Sequence, residues 1–169
     1  PASPFPEGMR GNPGGLQKNY EGESAFFYDG LKNHNFRYAI GFRYQEFTAN
    51  ESKNFNNDLS PTILDNGVPR MESVTGDPLR VYISDENREH YYLSLQDEWR
   101  FADDWELTAG LRYDSYTQFG DSVNPRLALV WSTAYNLTTK FLYGRAFRAP
   151  SLGELYSRNN PILVGNPEL

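Results

Sequence analysis

Arg37, Arg43, Arg112, Arg126, Lys140 and Arg148 occupy alternate positions in segments whose intervening positions are largely apolar. Arg100 falls on the same side, as do the acids Glu98, Glu106 and Asp114. A guanidinium presents a rigid fork that fits a carboxylate or phosphate through two bonds, so such a face suits an anionic ligand. The same charges can also satisfy one another across neighbouring strands, or pair with acids from outside this chain. His34 and His90 are the only histidines. His90 opens a periodic segment and is a candidate ligand for haem; the plainer reading is an ordinary polar residue. Asp58, Asp65, Asp77 and Asp85 are spaced too widely for a single EF-hand calcium loop. No Ser-His-Asp order, HExxH helix or phosphate-binding glycine loop occurs, and there is no cysteine to supply a thiolate. The residues argue for binding without catalysis, with no resident metal and no cofactor.

The elements that carry these charges read as strands. Trp105, Leu107, Ala109, Leu111 and Tyr113 alternate with Glu106, Thr108, Gly110, Arg112 and Asp114. Pro125, Leu127, Leu129 and Trp131 alternate with Arg126, Ala128 and Val130, and Phe141, Tyr143 and Phe147 oppose Lys140, Gly144 and Arg148. Phe36, Tyr38, Ile40, Phe42 and Tyr44 repeat the pattern, as do Tyr91, Leu93, Leu95 and Trp99, where Asp97 interrupts the apolar face. Side chains in a strand point alternately to its two faces, so each segment is oily on one side and polar on the other. The segments run to roughly 9–12 residues, the span of a tilted membrane strand, whereas soluble strands peak near 5–6. Aromatic residues cluster at the segment ends, where a barrel places its interfacial girdles.

The expected strands lie near 24–30, 36–47, 89–101, 105–116, 124–132 and 138–148. Residues 1–23 read as a Pro- and Gly-rich loop, 49–88 as a long loop with a small hairpin at Asp65-Asn66-Gly67, and 149–169 as a further loop. Three short connections (31–35, 102–104 and 133–137) fall on one rim and the longer ones on the other. Bacterial outer-membrane barrels put short turns in the periplasm and long loops outside. On that rule 49–88 and 149–169 are extracellular.

Composition fits this reading. The 169 residues carry a net charge of −6, which argues against nucleic acid as a partner. Aromatics make up 15%, with 12 Tyr and 11 Phe, a bias towards strands and interfaces. Mean hydropathy is −0.69 and no run of about 18 apolar residues exists, so no helix crosses a membrane. That does not bear on a barrel, whose alternation dilutes the average.

The words QDEW (96–99), GLRYD (110–114), NPRLALVW (124–131), YGRAFRAPSLGELY (143–156) and GNPEL (165–169) resemble the barrel of TonB-dependent outer-membrane receptors. The resemblance covers residues 87–169, and 20–48 more loosely. It implies an all-β fold of antiparallel up-and-down strands, forming a segment of a barrel of about 22 strands with long extracellular loops. It further implies uptake of a scarce nutrient, a ferric siderophore first among them. The TonB energy-coupling complex would act through a plug domain outside this sequence, and outer-membrane lipid would surround the wall. Under that reading the arginine-bearing face lines the lumen. A soluble β-sandwich binding module is the alternative, and it requires a second sheet packed on the apolar face.

Overall fold

The computed structural model describes residues 4–133, 136–160 and 163–168. In chain order the elements are β1 (Gly11–Asn12), β2 (Gly15–Tyr28), β3 (His34–Ala49), β4 (Ser52–Lys53), β5 (Leu64–Asp65) and β6 (Val68–Pro69). They continue with β7 (Glu72–Ser73), β8 (Glu86–Ala102), β9 (Trp105–Tyr116), β10 (Gly120–Ser132), β11 (Thr138–Gly144) and a short helix, α1 (Leu152–Tyr156). Two compact units emerge: residues 19–44 with 88–149, and residues 1–18 with 45–87 and 150–169.

The first unit is built on a six-stranded open sheet in the order β11-β10-β9-β8-β3-β2, sequential except that β3 and β8 are joined through β4–β7. Its antiparallel register sets Leu107 opposite Leu129 and Trp99, and Arg112 opposite Asn124 and Ser94. Directly opposed residues share a face, so the apolar and polar rows predicted from alternation extend across strands. A bulge between Trp99 and Ala102 breaks the ladder just before the tight turn at Asp103-Asp104. At the other end of β9, residues 117–119 turn the chain into β10, with Gly120 at φ 86°.

The apolar face is uncovered among the described residues. Ile40 is 58% exposed, Leu93 56%, Leu111 50% and Phe141 61%. A sandwich would bury such a face against a second sheet. What bounds this face is aromatic. Tyr28, Phe36, His34, Trp99, Phe101, Trp105 and Trp131 form an unbroken chain of ring contacts, with centroids 5.1–6.4 Å apart, beside the short turns. Near the opposite ends of the strands Phe42 meets Tyr91, and Tyr20 meets Tyr44, each at 6.4 Å. Trp105 and Tyr113 are eight residues apart, roughly 27 Å along a strand, or about 21 Å across a membrane at a tilt near 40°. That matches an outer-membrane apolar band.

Several boundaries differ from the sequence reading. The strand expected at 24–30 begins at Gly15, so residues 15–23 of the expected loop are paired. Lys18, Gly22 and Ser24 dilute one face there, which hides the period-two signal. β10 begins at Gly120 rather than 124. β11 stops at Gly144 rather than 148, and Phe147 packs on Tyr116 and Phe119, not in line with Phe141 and Tyr143. Of the turn expected at 133–137, Ala134 and Tyr135 lie outside the described residues; the Thr133 amide donates to Leu137 O at 2.8 Å.

The second unit organises much of the expected loop 49–88. β4 pairs with β1 and β7, and β5–β6 is a hairpin turning on Asn66 (φ 51°) and Gly67 (φ 84°), the geometry a two-residue type I′ turn requires. Ala49, Val74 and Val81 form a small core against Phe47. Lys53 is 1% exposed: its ammonium donates to Arg80 O and to Asn159 O (3.3 Å) and lies 3.7 Å from the Tyr82 ring centroid. Burial pushes its pKa down, an effect partly offset by nearby Glu51. Glu51 in turn accepts from the amides of Tyr82 (2.5 Å) and Ile83 (3.3 Å). Asn159 donates to Val81 O at 2.9 Å, which ties the residues just after α1 to this network. The helix α1 starts at a capping box in which Ser151 and Glu154 satisfy each other's backbone amides, and it buries Leu152 and Leu155.

Candidate functional site

On the polar face of the six-stranded sheet lies a cavity of about 930 Å³, the size class of small-molecule sites. Arg37, Arg43, Arg112 and Arg126 line it, and so does His90. Four of the six expected cationic contacts are therefore brought together. Lys140 is not among the lining residues: the register sets it opposite Val130, whose other neighbour is Glu106, two rows from Arg126 towards the short turns. Arg148 lies beyond the end of β11 and does not line the cavity either.

The arginines lie against the wall. Arg37 Nη2 bonds Glu23 Oε1 and Arg43 Nη2 bonds Glu21 Oε2, both at 2.8 Å, which crosslinks β3 to β2. Arg112 donates through Nε to both oxygens of Asp114, at 2.8 and 3.0 Å, and its guanidinium stacks 3.8 Å over the Tyr92 ring. Tyr92 donates to Glu23 Oε2 at 2.5 Å. It reaches across β3 because Gly41 leaves room: a Cβ there would stand 2.4 Å from the ring. Arg126 likewise crosses Gly110, where a Cβ would stand 2.9 Å from Nε, and donates to Gln96 Oε1 at 2.5 Å. These glycines are sites of close approach by a side chain, where a Cβ would collide.

His90 is 7% exposed. Its Nε2 lies 2.8 Å from Asp114 Oδ1, and its ring stacks on Tyr116 at 4.1 Å with planes 3° apart. Asp114 thus engages one ring nitrogen of His90, and Tyr116 covers one face of its ring. Among the described residues no group of three or more His, Cys, Asp or Glu side chains is arranged to hold a metal ion.

Sequence reasoning did not single out Arg145, which also lines the cavity. Its position follows from the end of β11: the Arg145 amide bonds Pro125 O at 3.0 Å, and the next residues fold over the polar face through Phe147. Parity along an ideal strand would have put Arg145 on the other side. Asp97, which interrupts the apolar face, has a partner there in His34, with Nδ1 to Oδ2 at 2.8 Å.

Comparisons with known proteins agree with this architecture. The family model for the TonB dependent receptor-like β-barrel matches residues 4–169. Two curated relatives, each an iron-regulated outer membrane virulence protein of Vibrio cholerae serotype O1 (the classical Ogawa strain O395 and the El Tor Inaba strain N16961), are 32% identical over 80 residues. Those alignments cover 44% of this chain and 12% of each relative, so the chain matches only a small part of their length. No solved structure matches. An open antiparallel sheet with an uncovered apolar face and a charged opposite face is what a stretch of outer-membrane barrel wall requires, and the chain belongs to the TonB-dependent receptor β-barrel family.

Proposed function

We propose that the protein containing this chain is an outer-membrane receptor that takes up a ferric siderophore, energised by the TonB complex through a plug domain. The chain supplies part of the wall of a barrel of about 22 strands, the class of plugged outer-membrane transporters. Its short turns face the periplasm, and segments 49–88 and 149–169 lie outside the cell. The observation that carries this reading is the uncovered apolar face, bounded by aromatic rings at both ends and backed by a charged cavity. The names of the relatives, which specify iron regulation and the outer membrane, support iron as the nutrient. The role is transport, with lumenal charge in place of catalytic groups.

The test is uptake by cells carrying the full-length gene as their only receptor, grown under iron limitation with a panel of radiolabelled ferric siderophores. Uptake of one chelate that stops when TonB is deleted supports the reading. Uptake of haem, cobalamin or a sugar in place of every ferric chelate would overturn the choice of ligand and keep the transport mechanism. A protein recovered soluble without detergent would overturn the barrel assignment itself.

A further inference from the structure

Phe147 is out of place on a charged face. Parity with Phe141 and Tyr143 predicts it on the apolar side, but β11 stops at Gly144 and Phe147 lines the cavity instead, 44% exposed. Its ring is backed by Tyr116 (6.1 Å between centroids, planes 54° apart) and Phe119 (5.8 Å, 41°). The row continues along the cavity wall: Tyr116 stacks on His90 at 4.1 Å, and His90 meets Tyr92 at 5.5 Å. The Arg112 guanidinium lies 3.8 Å over the Tyr92 ring. The plainer reading is that Phe147 pins the chain leaving β11 to the sheet. Its contacts with Tyr116 and Phe119 meet that need, yet they leave an apolar ring exposed in a charged recess, where uncovered apolar area is unfavourable. The charge is also unbalanced. Five arginines and three carboxylates (Glu21, Glu23 and Asp114) line the cavity, so a bound ligand meets a net positive field. A ligand that answers both features carries negative charge and flat rings together.

We propose that Phe147 is a specificity-determining residue that stacks on an aromatic ring of the imported ligand. The cavity thereby selects anionic chelates with aryl-oxygen arms, the catecholate class, over neutral or purely aliphatic ones. This selection rests on the ferric-chelate reading given above and narrows it. A ferric tris-catecholate is a polyanion that carries its rings on the outside. A ferric tris-hydroxamate core is neutral, and ferric citrate is anionic but has no ring. Offset and edge-to-face ring pairs are stabilised beyond the area they bury, and a ring already held by its neighbours loses little freedom on binding.

The experiment is isothermal titration of the full-length receptor in detergent with three probes: a ferric tris-catecholate, a ferric tris-hydroxamate and ferric citrate. The catecholate is expected to bind tightest, citrate next and the hydroxamate weakest. Phe147→Leu keeps apolar bulk against Tyr116 and Phe119 but removes the π-face. It should weaken catecholate binding roughly tenfold and leave citrate binding within about twofold, and Phe147→Tyr should keep the wild-type preference. An equal loss for all three probes in Phe147→Leu makes Phe147 a packing residue and overturns the proposal. Tighter binding of citrate or the hydroxamate to wild type overturns it as well, while keeping the ferric-chelate reading. Binding of none of the three overturns that reading and this selection with it.

Discussion

Two histidine–aspartate pairs sit on opposite faces of one sheet, and their difference shows what each face demands. His34 and Asp97 meet at 2.8 Å on the apolar face, and His90 and Asp114 meet at 2.8 Å on the polar face. Each imidazole lies flat on aromatic rings: His34 between Phe36 (5.5 Å) and Trp99 (5.4 Å), His90 on Tyr116 (4.1 Å). The polar pair is the more buried, with side chains 8% and 6% exposed against 25% and 25% for the apolar pair. Yet Asp114 also accepts from Arg112 and Asn124, whereas the second oxygen of Asp97 is buried with no partner. Depth of burial is therefore a poor guide to vulnerability here. The number of alternative donors is the better one, because an acid that loses its single partner keeps its full desolvation cost.

The comparison predicts a ranking, measured as thermal stability of the full-length receptor in detergent. His34→Ala leaves the Asp97 carboxyl without its donor on the apolar face, and should cost about 2–3 kcal/mol, less than a fully buried pair because both side chains are partly exposed. Adding Asp97→Leu should restore most of that loss; a double variant no more stable than His34→Ala would show that ring stacking, not charge, carries the pair. Gly41→Ala drives a methyl group into the Tyr92 ring beside His90 and should cost about 2 kcal/mol by overpacking. A smaller loss, about 1–2 kcal/mol, is expected for Asp114→Asn, since the amide oxygen still accepts one bond while Arg112 loses its charged partner. If Asp114→Asn proves more damaging than His34→Ala, the argument from alternative donors fails.

Lys53 extends the contrast to a buried cation whose direct partners are carbonyl oxygens and aromatic faces. Its folded pKa lies below the ordinary 10.5, so the folded state gives up its proton first and folding releases protons in the window between the two values. Stability from this group is then fully present above 10.5 and is lost as pH falls through the folded pKa. Wild type should gain on Lys53→Met as pH rises through that window, by at most about 1.4 kcal/mol per pH unit. Subtilisin cleavage within residues 49–88, compared between pH 8 and 10, reads the change; parallel profiles for the two proteins would show that Lys53 does not titrate there.

Alternation by itself determined the long strands, the two chemically opposite faces and the girdle positions, because a period of two is a local property of the chain. It also determined that Arg37, Arg43, Arg112 and Arg126 share a side, and the Asn66-Gly67 turn was legible because its backbone needs residues that tolerate positive φ. Three things were decided only by tertiary structure. β2 became a strand along residues 15–28 because β3 offers it a ladder and two arginines for Glu21 and Glu23, a stabilisation its own diluted pattern does not display. Arg145 reached the cavity because β11 ends one residue earlier, which cancels strand parity. Asp97 found its place through His34, 63 residues away in sequence. Sequence spacing reports which way a side chain points along an extended backbone. It carries no record of which distant strand arrives opposite, and here that arrival decides which charges are paired with one another.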